Sequence, residues 1–121
     1  MIRIKRVYEP ARLADGARFL VDRLWPRGLK KDSLSLQAWL KDVAPSSKLR
    51  NWYHSAPDQW NEFRRCYFEE LESNRETWMQ LAEAARRGDI TLLYSSRESL
   101  HNNAAVLAEF LEKKLLKTKA Q

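Results

Sequence analysis

The chain has 121 residues, 44% of them hydrophobic and 31% charged, with one cysteine and a formal net charge of +6. This length suits one domain spanning residues 1–121 that buries a core without staples or metals, and the single Cys66 excludes an internal disulfide. The amino terminus lacks the apolar stretch of a secretory signal and no apolar run nears the roughly 18 residues of a membrane span, so a cytoplasmic protein with no membrane partner is expected.

The charge excess is lopsided. Residues 1–31 hold nine Lys and Arg against Glu9, Asp15 and Asp22, while the remaining residues carry 13 bases and 13 acids. A basic end favours an anionic partner, whether a small phosphate-bearing ligand or nucleic acid, and equally serves as a solvated cationic face.

In chain order, Ile2 and Ile4 alternate with Arg3 and Lys5, which predicts a half-buried first strand ending near Tyr8. After Pro10 and the Asp15-Gly16 turn, the apolar run Phe19-Leu20-Val21 predicts a central second strand over about Arg18 to Leu24. Leu36, Trp39, Leu40 and Val43 recur at helical spacing and predict a helix that stops before Pro45. A short helix capped by Ser46 or Ser47 follows, carrying Leu49, Trp52 and Tyr53. From Pro57 a longer helix shows a stripe of Trp60, Phe63, Tyr67 and Leu71, and Ser73 with Glu76 forms a candidate capping box for the next, striped by Trp78, Leu81, Ala82 and Ala85. Gly88 ends it. Ile90 to Tyr94 is the third strand, and Leu100, Ala104, Leu107, Leu111 and Leu115 mark a closing helix whose end, about 117–121, is expected to fray.

Apolar strands separated by helices imply an α/β fold, a small mainly parallel sheet with helices packed on its faces. With the second and third strands as parallel neighbours, their carboxyl ends bring Asp22, Arg23 and Arg27 towards Ser95, Ser96, Arg97 and Glu98 in one cleft. Ser99, His101 and Asn102 are expected in the first turn of the closing helix, where unpaired N–H groups receive anions.

The ordered motifs VYEP (7–10), DG-x-R (15–18), VDRLWPRG (21–28), W-L-K-x-x-AP-S (39–46), LR-x-W (49–52), His54, W-x-x-F (60–63), Y-x-x-EL (67–71), TLLYS (91–95) and HN-x-A (101–104) resemble the YeaO-like family, a branch of domain of unknown function 488. The resemblance covers nearly the whole chain and brings no established reaction. Members of the wider family are similar in having an Asp-Val-Arg-like strand end and a later Cys-His-Arg-like segment. Here those positions read Asp22-Arg23-Leu24 and Leu100-His101-Asn102, so no thiol role carries over to Leu100. The branch usually has Asp where Glu98 stands and His where Asn103 stands.

Asp22 is a candidate base, hydroxyl acceptor or metal ligand, with a structural ion pair to Arg23, Arg27 or Arg97 as the favoured alternative. Arg23 and Arg27 offer planar forks for phosphate or carboxylate, and Pro26 and Gly28 hold the Arg27 loop. His101 is the acid/base candidate of the two histidines, His54 being structural; hydrogen bonding of His101 to a backbone carbonyl competes with catalysis. Ser95, Ser96, Arg97 and Asn102 are ligand-binding candidates, the serines and Asn102 also serving as helix caps. Trp25 is the candidate stacking ring, Trp39, Trp60 and Trp78 belong to apolar stripes, and Trp52 reads either way. Asp22, Glu98, His54 and His101 lack tight metal-ligand spacing, Cys66 has no neighbouring His, and neither a Walker loop nor a GxSxG elbow is present, so no metal site is expected and no cofactor is named.

The leading expectation is a domain that binds a phosphate- or nucleotide-like anion at the strand ends, with Asp22 and His101 as acid/base groups if it catalyses. Nucleic-acid binding through the basic end and a non-catalytic protein-interaction module are the alternatives. Exposed aromatic area equally suits a dimer face.

Overall fold

A computed structural model describes residues 1–119. Four strands, β1 (Ile2–Arg6), β2 (Ala17–Leu20), β3 (Ala38–Trp39) and β4 (Ile90–Tyr94), form one sheet in the order β1-β4-β2-β3 with every pairing parallel. The apolar runs at 19–21 and 90–94 occupy the two central positions, as expected of strands buried on both faces. In register, Ile2 opposes Ile90 and Leu20 opposes Leu93, and the Val21 N–H extends the ladder by donating to the Leu93 carbonyl at 3.1 Å.

Side chains alternate across a strand, and the core divides accordingly. Phe19, Val21, Ile90, Leu92 and Tyr94 join buried residues of α1 (Ser47–Ser55), α2 (Trp60–Ser73), α3 (Arg75–Arg87) and α4 (Asn103–Lys119) in the larger cluster. Leu20 and Leu93 point the other way into a smaller cluster with Val7, covered by Trp25, Leu29, Leu34, Leu36 and Trp39. The helices therefore line one face, and the irregular segment after β2 covers the other.

That segment overturns the helix expected over Leu36 to Val43. Ala38 and Trp39 pair with β2 instead: Gln37 N–H donates to the Arg18 carbonyl at 2.7 Å and Leu40 N–H to the Leu20 carbonyl at 2.9 Å, followed by a 3-10 turn at Lys41–Val43. Short apolar periodicity does not separate the two structures, and the open edge of β2 supplied hydrogen bonds that settled the outcome. Ser46 caps α1, its Oγ accepting from Leu49 N–H at 3.1 Å. α2 starts at Trp60 rather than at Pro57. Ser73 closes α2 instead of forming a capping box with Glu76, and Asn74 forms the joint between α2 and α3. Gly88 ends α3.

The closing helix starts at Asn103, so Ser99, Leu100, His101 and Asn102 are not in its first turn. Polar contacts hold 95–101 out of the helix. Arg6 donates to the Ser96 and Ser95 carbonyls at 2.9 and 3.0 Å, Ser96 Oγ accepts from Glu98 N–H at 3.1 Å, and Asn102 Oδ1 caps α4 by accepting from Ala105 N–H at 2.9 Å. α4 runs through Lys119, and residues 120–121 of the end expected to fray lie outside the described residues.

At the amino-terminal edge of the sheet, buried Asp15 receives Lys5 Nζ at 3.0 Å, Arg18 Nη1 at 2.5 Å and Arg12 N–H at 3.2 Å. Burial pushes its carboxyl up, but Lys5, the Arg12 N–H and Arg18 together hold it below the ordinary 3.8. A depressed folded-state value stabilises the fold above that ordinary value and is lost as pH falls through the lower one. Asp15→Asn should therefore lower the urea midpoint at pH 7 and make the remaining stability fall less steeply below about pH 4. Parallel acid profiles for the two proteins would contradict this.

Two glycines have positive φ, with different surroundings. At Gly16 (φ 63°, ψ −141°) an added Cβ would sit 2.1 Å from the Asp89 carbonyl oxygen, whereas at Gly28 (φ 80°) nothing lies within 4 Å. Gly16→Ala should cost at least about 2 kcal/mol of unfolding free energy and Gly28→Ala about 1 kcal/mol, the strain of the left-handed backbone alone. Equal losses in urea titrations would refute the assigned crowding.

Candidate functional site

The carboxyl ends of β2 and β4 meet at Asp22. Its Oδ2 accepts from Ser95 N–H at 2.9 Å and Ser95 Oγ at 2.8 Å, and its Oδ1 from Asn103 Nδ2 at 3.1 Å. Asn103 Nδ2 also reaches the Val21 carbonyl at 3.1 Å, and Trp39 Nε1 donates to the Asp22 carbonyl at 2.8 Å. One residue thus links β2, β3, β4 and α4. The ion pair expected between Asp22 and an arginine is replaced by these neutral donors, since none of Arg23, Arg27 or Arg97 forms a salt bridge among the described residues.

Above this junction lies an open cleft of about 1130 Å³, lined by the loops after β1, β2 and β4 and by α1 and the start of α2. Its lining carries five arginines, Arg6, Arg23, Arg27, Arg50 and Arg97, against two carboxylates, Asp22 and Glu98. Arg6 is committed to the Ser95 and Ser96 carbonyls, and its guanidinium lies 4.8 Å from the centre of the Tyr8 ring. Tyr8 in turn donates its hydroxyl to the Arg27 carbonyl at 2.9 Å, fixing that loop. Arg23 has a buried Nε without a partner among the described residues, and its Nη2 makes only long contacts to the Ala44 and Pro45 carbonyls, at 3.4 and 3.3 Å.

Glu98 stays ionised. Its Oε1 accepts from Leu100 N–H at 3.0 Å and His101 N–H at 3.3 Å, and these backbone donors hold the carboxyl below its ordinary range. His101 stacks on Trp60, centroids 4.5 Å apart and planes within 14°, in place of the expected bond to a carbonyl. Behind Trp60 stand Phe63 at 5.5 Å and, against Phe63, Tyr53 at 4.5 Å. Burial and the nearby Glu98 charge push the Tyr53 hydroxyl up, so it remains a donor at neutral pH.

Asp22, Arg23, Trp25, Arg27, Ser95, Ser96, Arg97, His101 and Asn102 all line the one cleft. They do not all have free functional groups. Ser95 is bound to Asp22, Asn102 caps α4 while donating to the Glu98 carbonyl at 2.9 Å, and Trp25 donates to the Leu29 carbonyl at 2.6 Å and packs edge-on to Trp39 at 5.4 Å. Arg27 and Arg97 are exposed. Trp60, placed by its stripe in the core, is half-buried and lines the cleft, as does His54. Burial raises the Cys66 thiol, which suits its inert reading. Among the described residues no group of three or more His, Cys, Asp and Glu side chains is arranged to hold a metal ion, and no helix is long and apolar enough to cross a membrane.

The sequence reading missed Arg50, Tyr53 and Tyr8 as lining residues. Arg50, Tyr53 and His54 stand at i, i+3 and i+4, one face of α1, so the signal was present in the spacing. Arg6 and Tyr8 follow from the rule that parallel strands present their carboxyl ends together.

Sequence comparison matches the family model DUF488-N3i, described as the inactive DUF488-N3 subclade, over residues 1–121. The chain is 44% identical to the uncharacterized protein YeaO of Escherichia coli over 110 residues, covering 91% of this chain and 96% of that protein. Uncharacterized proteins of Mycobacterium bovis and Mycobacterium tuberculosis are 42% identical over 110 residues, covering 91% of this chain and 92% of theirs. No solved structure matches significantly.

Removing the carboxylate of Asp22 strands three donors at the strand ends. Asp22→Ala should lower unfolding stability by about 2–4 kcal/mol, the order expected for charged hydrogen bonds lost from a half-buried site. A loss below about 0.5 kcal/mol, the scale of ordinary surface substitutions, would refute the junction's role.

Proposed function

Because this chain belongs to the YeaO-like branch of DUF488, in the subclade described as inactive, we propose that its cleft binds a phosphate- or nucleotide-like anion without turning it over. The observation that carries this reading is the charge of the lining: five arginines against two carboxylates, with one carboxylate, Asp22, engaged by Ser95 and Asn103. Arg27, Arg50 and Arg97 have no salt-bridge partner among the described residues and project from three different segments, so a bound anion is met from several sides.

Binding without turnover fits the donors around Asp22. Three donors, Ser95 N–H and Oγ on Oδ2 and Asn103 Nδ2 on Oδ1, occupy all but one lone pair of the Asp22 carboxylate, which fits a structural acceptor better than a base. Nucleic-acid binding through the amino-terminal charge has less support, because Lys5 and Arg18 are spent on Asp15 and Arg3 on Asp89 and the Ala14 carbonyl.

Calorimetric titration with inorganic phosphate, pyrophosphate and ribose 5-phosphate tests the reading. At least one should bind, and Arg27→Ala and Arg50→Ala should each weaken it about tenfold or more, the worth of a charge-assisted hydrogen bond. Both positions are exposed, so the variants should melt with the wild type. Failure of all three anions to bind, or unchanged affinity in both variants, would overturn the assignment.

A further inference from the structure

The anion reading leaves the aromatic side of the cleft unexplained. Tyr53, Phe63, Trp60 and His101 form a continuous run of rings in which successive planes differ by 29°, 26° and 14°. His101 is its last member. Trp60 covers one face of the imidazole, and the residue is exposed, so its accessible surface is the face and edge turned away from Trp60. The backbone on both sides is pinned, with His101 N–H on Glu98 Oε1 and Asn102 Nδ2 on the Glu98 carbonyl. A ring stacked on one face, with the other open and arginines lining the same cleft, is pre-organised to stack on another planar ring.

We propose that His101 is the stacking platform for the base of a nucleoside phosphate whose phosphate lies among the arginines. This rests on the anion-binding reading and narrows its ligand to one bearing both a planar ring and a phosphate. The cleft volume, about 1130 Å³, far exceeds the needs of a lone phosphate and accommodates such a ligand. Stacking uses the face of the imidazole and requires no proton transfer, so the role suits a site that binds without turnover. It also explains why Trp25 is not the platform: its indole is held edge-on against Trp39 and its N–H is bound to Leu29.

The test compares adenosine 5′-monophosphate with ribose 5-phosphate, which share the sugar phosphate and differ in the base. The nucleotide should bind about tenfold tighter or more, the lower range of base–aromatic stacking. His101→Ala should bring its affinity down to that of ribose 5-phosphate, and His101→Phe should restore the preference, which a proton-transfer or hydrogen-bonding role would not allow. Equal affinities of the two ligands for the wild type, or a preference that survives His101→Ala, would overturn the platform while ribose 5-phosphate binding leaves the anion reading standing. If neither ligand binds, the platform falls, and titration with inorganic phosphate and pyrophosphate decides the anion reading separately. A short single-stranded oligonucleotide that binds no tighter than the mononucleotide assigns the site to free nucleotides. One that binds tighter, still dependent on His101, assigns it to a nucleotide within a strand.

Discussion

Everything at the carboxyl end of this sheet depends on how the two central strands are prevented from splaying as they leave the ladder. β2 and β4 are short, and their backbones must diverge into loops that line a cleft open to water. Asp22 solves the problem with its side chain, replacing ladder hydrogen bonds by bonds to the Ser95 N–H and hydroxyl and to Asn103. Its own carbonyl takes the Trp39 indole N–H, which brings the edge strand β3 to the same point. An acid placed there serves geometry first. Removing its charge affects the positions of both cleft-lining loops before it affects any ligand.

The same economy governs the positive charge. Much of the basic excess in residues 1–31 is consumed inside the molecule: Lys5 and Arg18 on Asp15, Arg3 on Asp89, Arg6 on two carbonyls of the β4 loop. Net charge therefore overstates the positive surface at that end. Arg27 and Arg97, which form no salt bridge among the described residues, line the cleft together with Arg50 from the electrically neutral remainder of the chain, and this local concentration, rather than the total, marks the cleft. The half-buried Arg23 leaves its Nε without a partner among the described residues, a polar burial that is costly.

The loop after β4 shows how a short polar sequence satisfies its backbone without regular secondary structure. Ser96 accepts the N–H of Glu98, Glu98 accepts those of Leu100 and His101, and Asn102 hands the chain to α4 by capping it. Local side chains thus satisfy backbone donors that a helix would otherwise satisfy, which is why the apolar periodicity beginning at Leu100 did not extend the helix to that residue. Leu100 is instead 74% exposed. The contest between periodicity and backbone accounting had the same outcome at Ala38-Trp39, where a free strand edge outweighed a helical stripe.

The sequence by itself determined the parts governed by burial and by local chemistry. The runs at 19–21 and 90–94 suited the middle of a sheet, the stripes of α2 and α3 needed a common core, a serine at 46 or 47 was marked to cap a helix, and the VDRLWPRG string marked the strand end that lines the cleft. Tertiary structure alone decided what each polar group at that end touches. Asp22 found Ser95 and Asn103, about 73 and 81 positions away along the chain, in preference to the adjacent arginines. His101 found Trp60 on another helix, and Arg50 joined the cleft from α1. Hydrogen bonds and ring contacts act over a few ångströms and depend on direction, so their partners are settled only when distant segments have docked, whereas burial is non-directional and leaves its pattern in the order of residues.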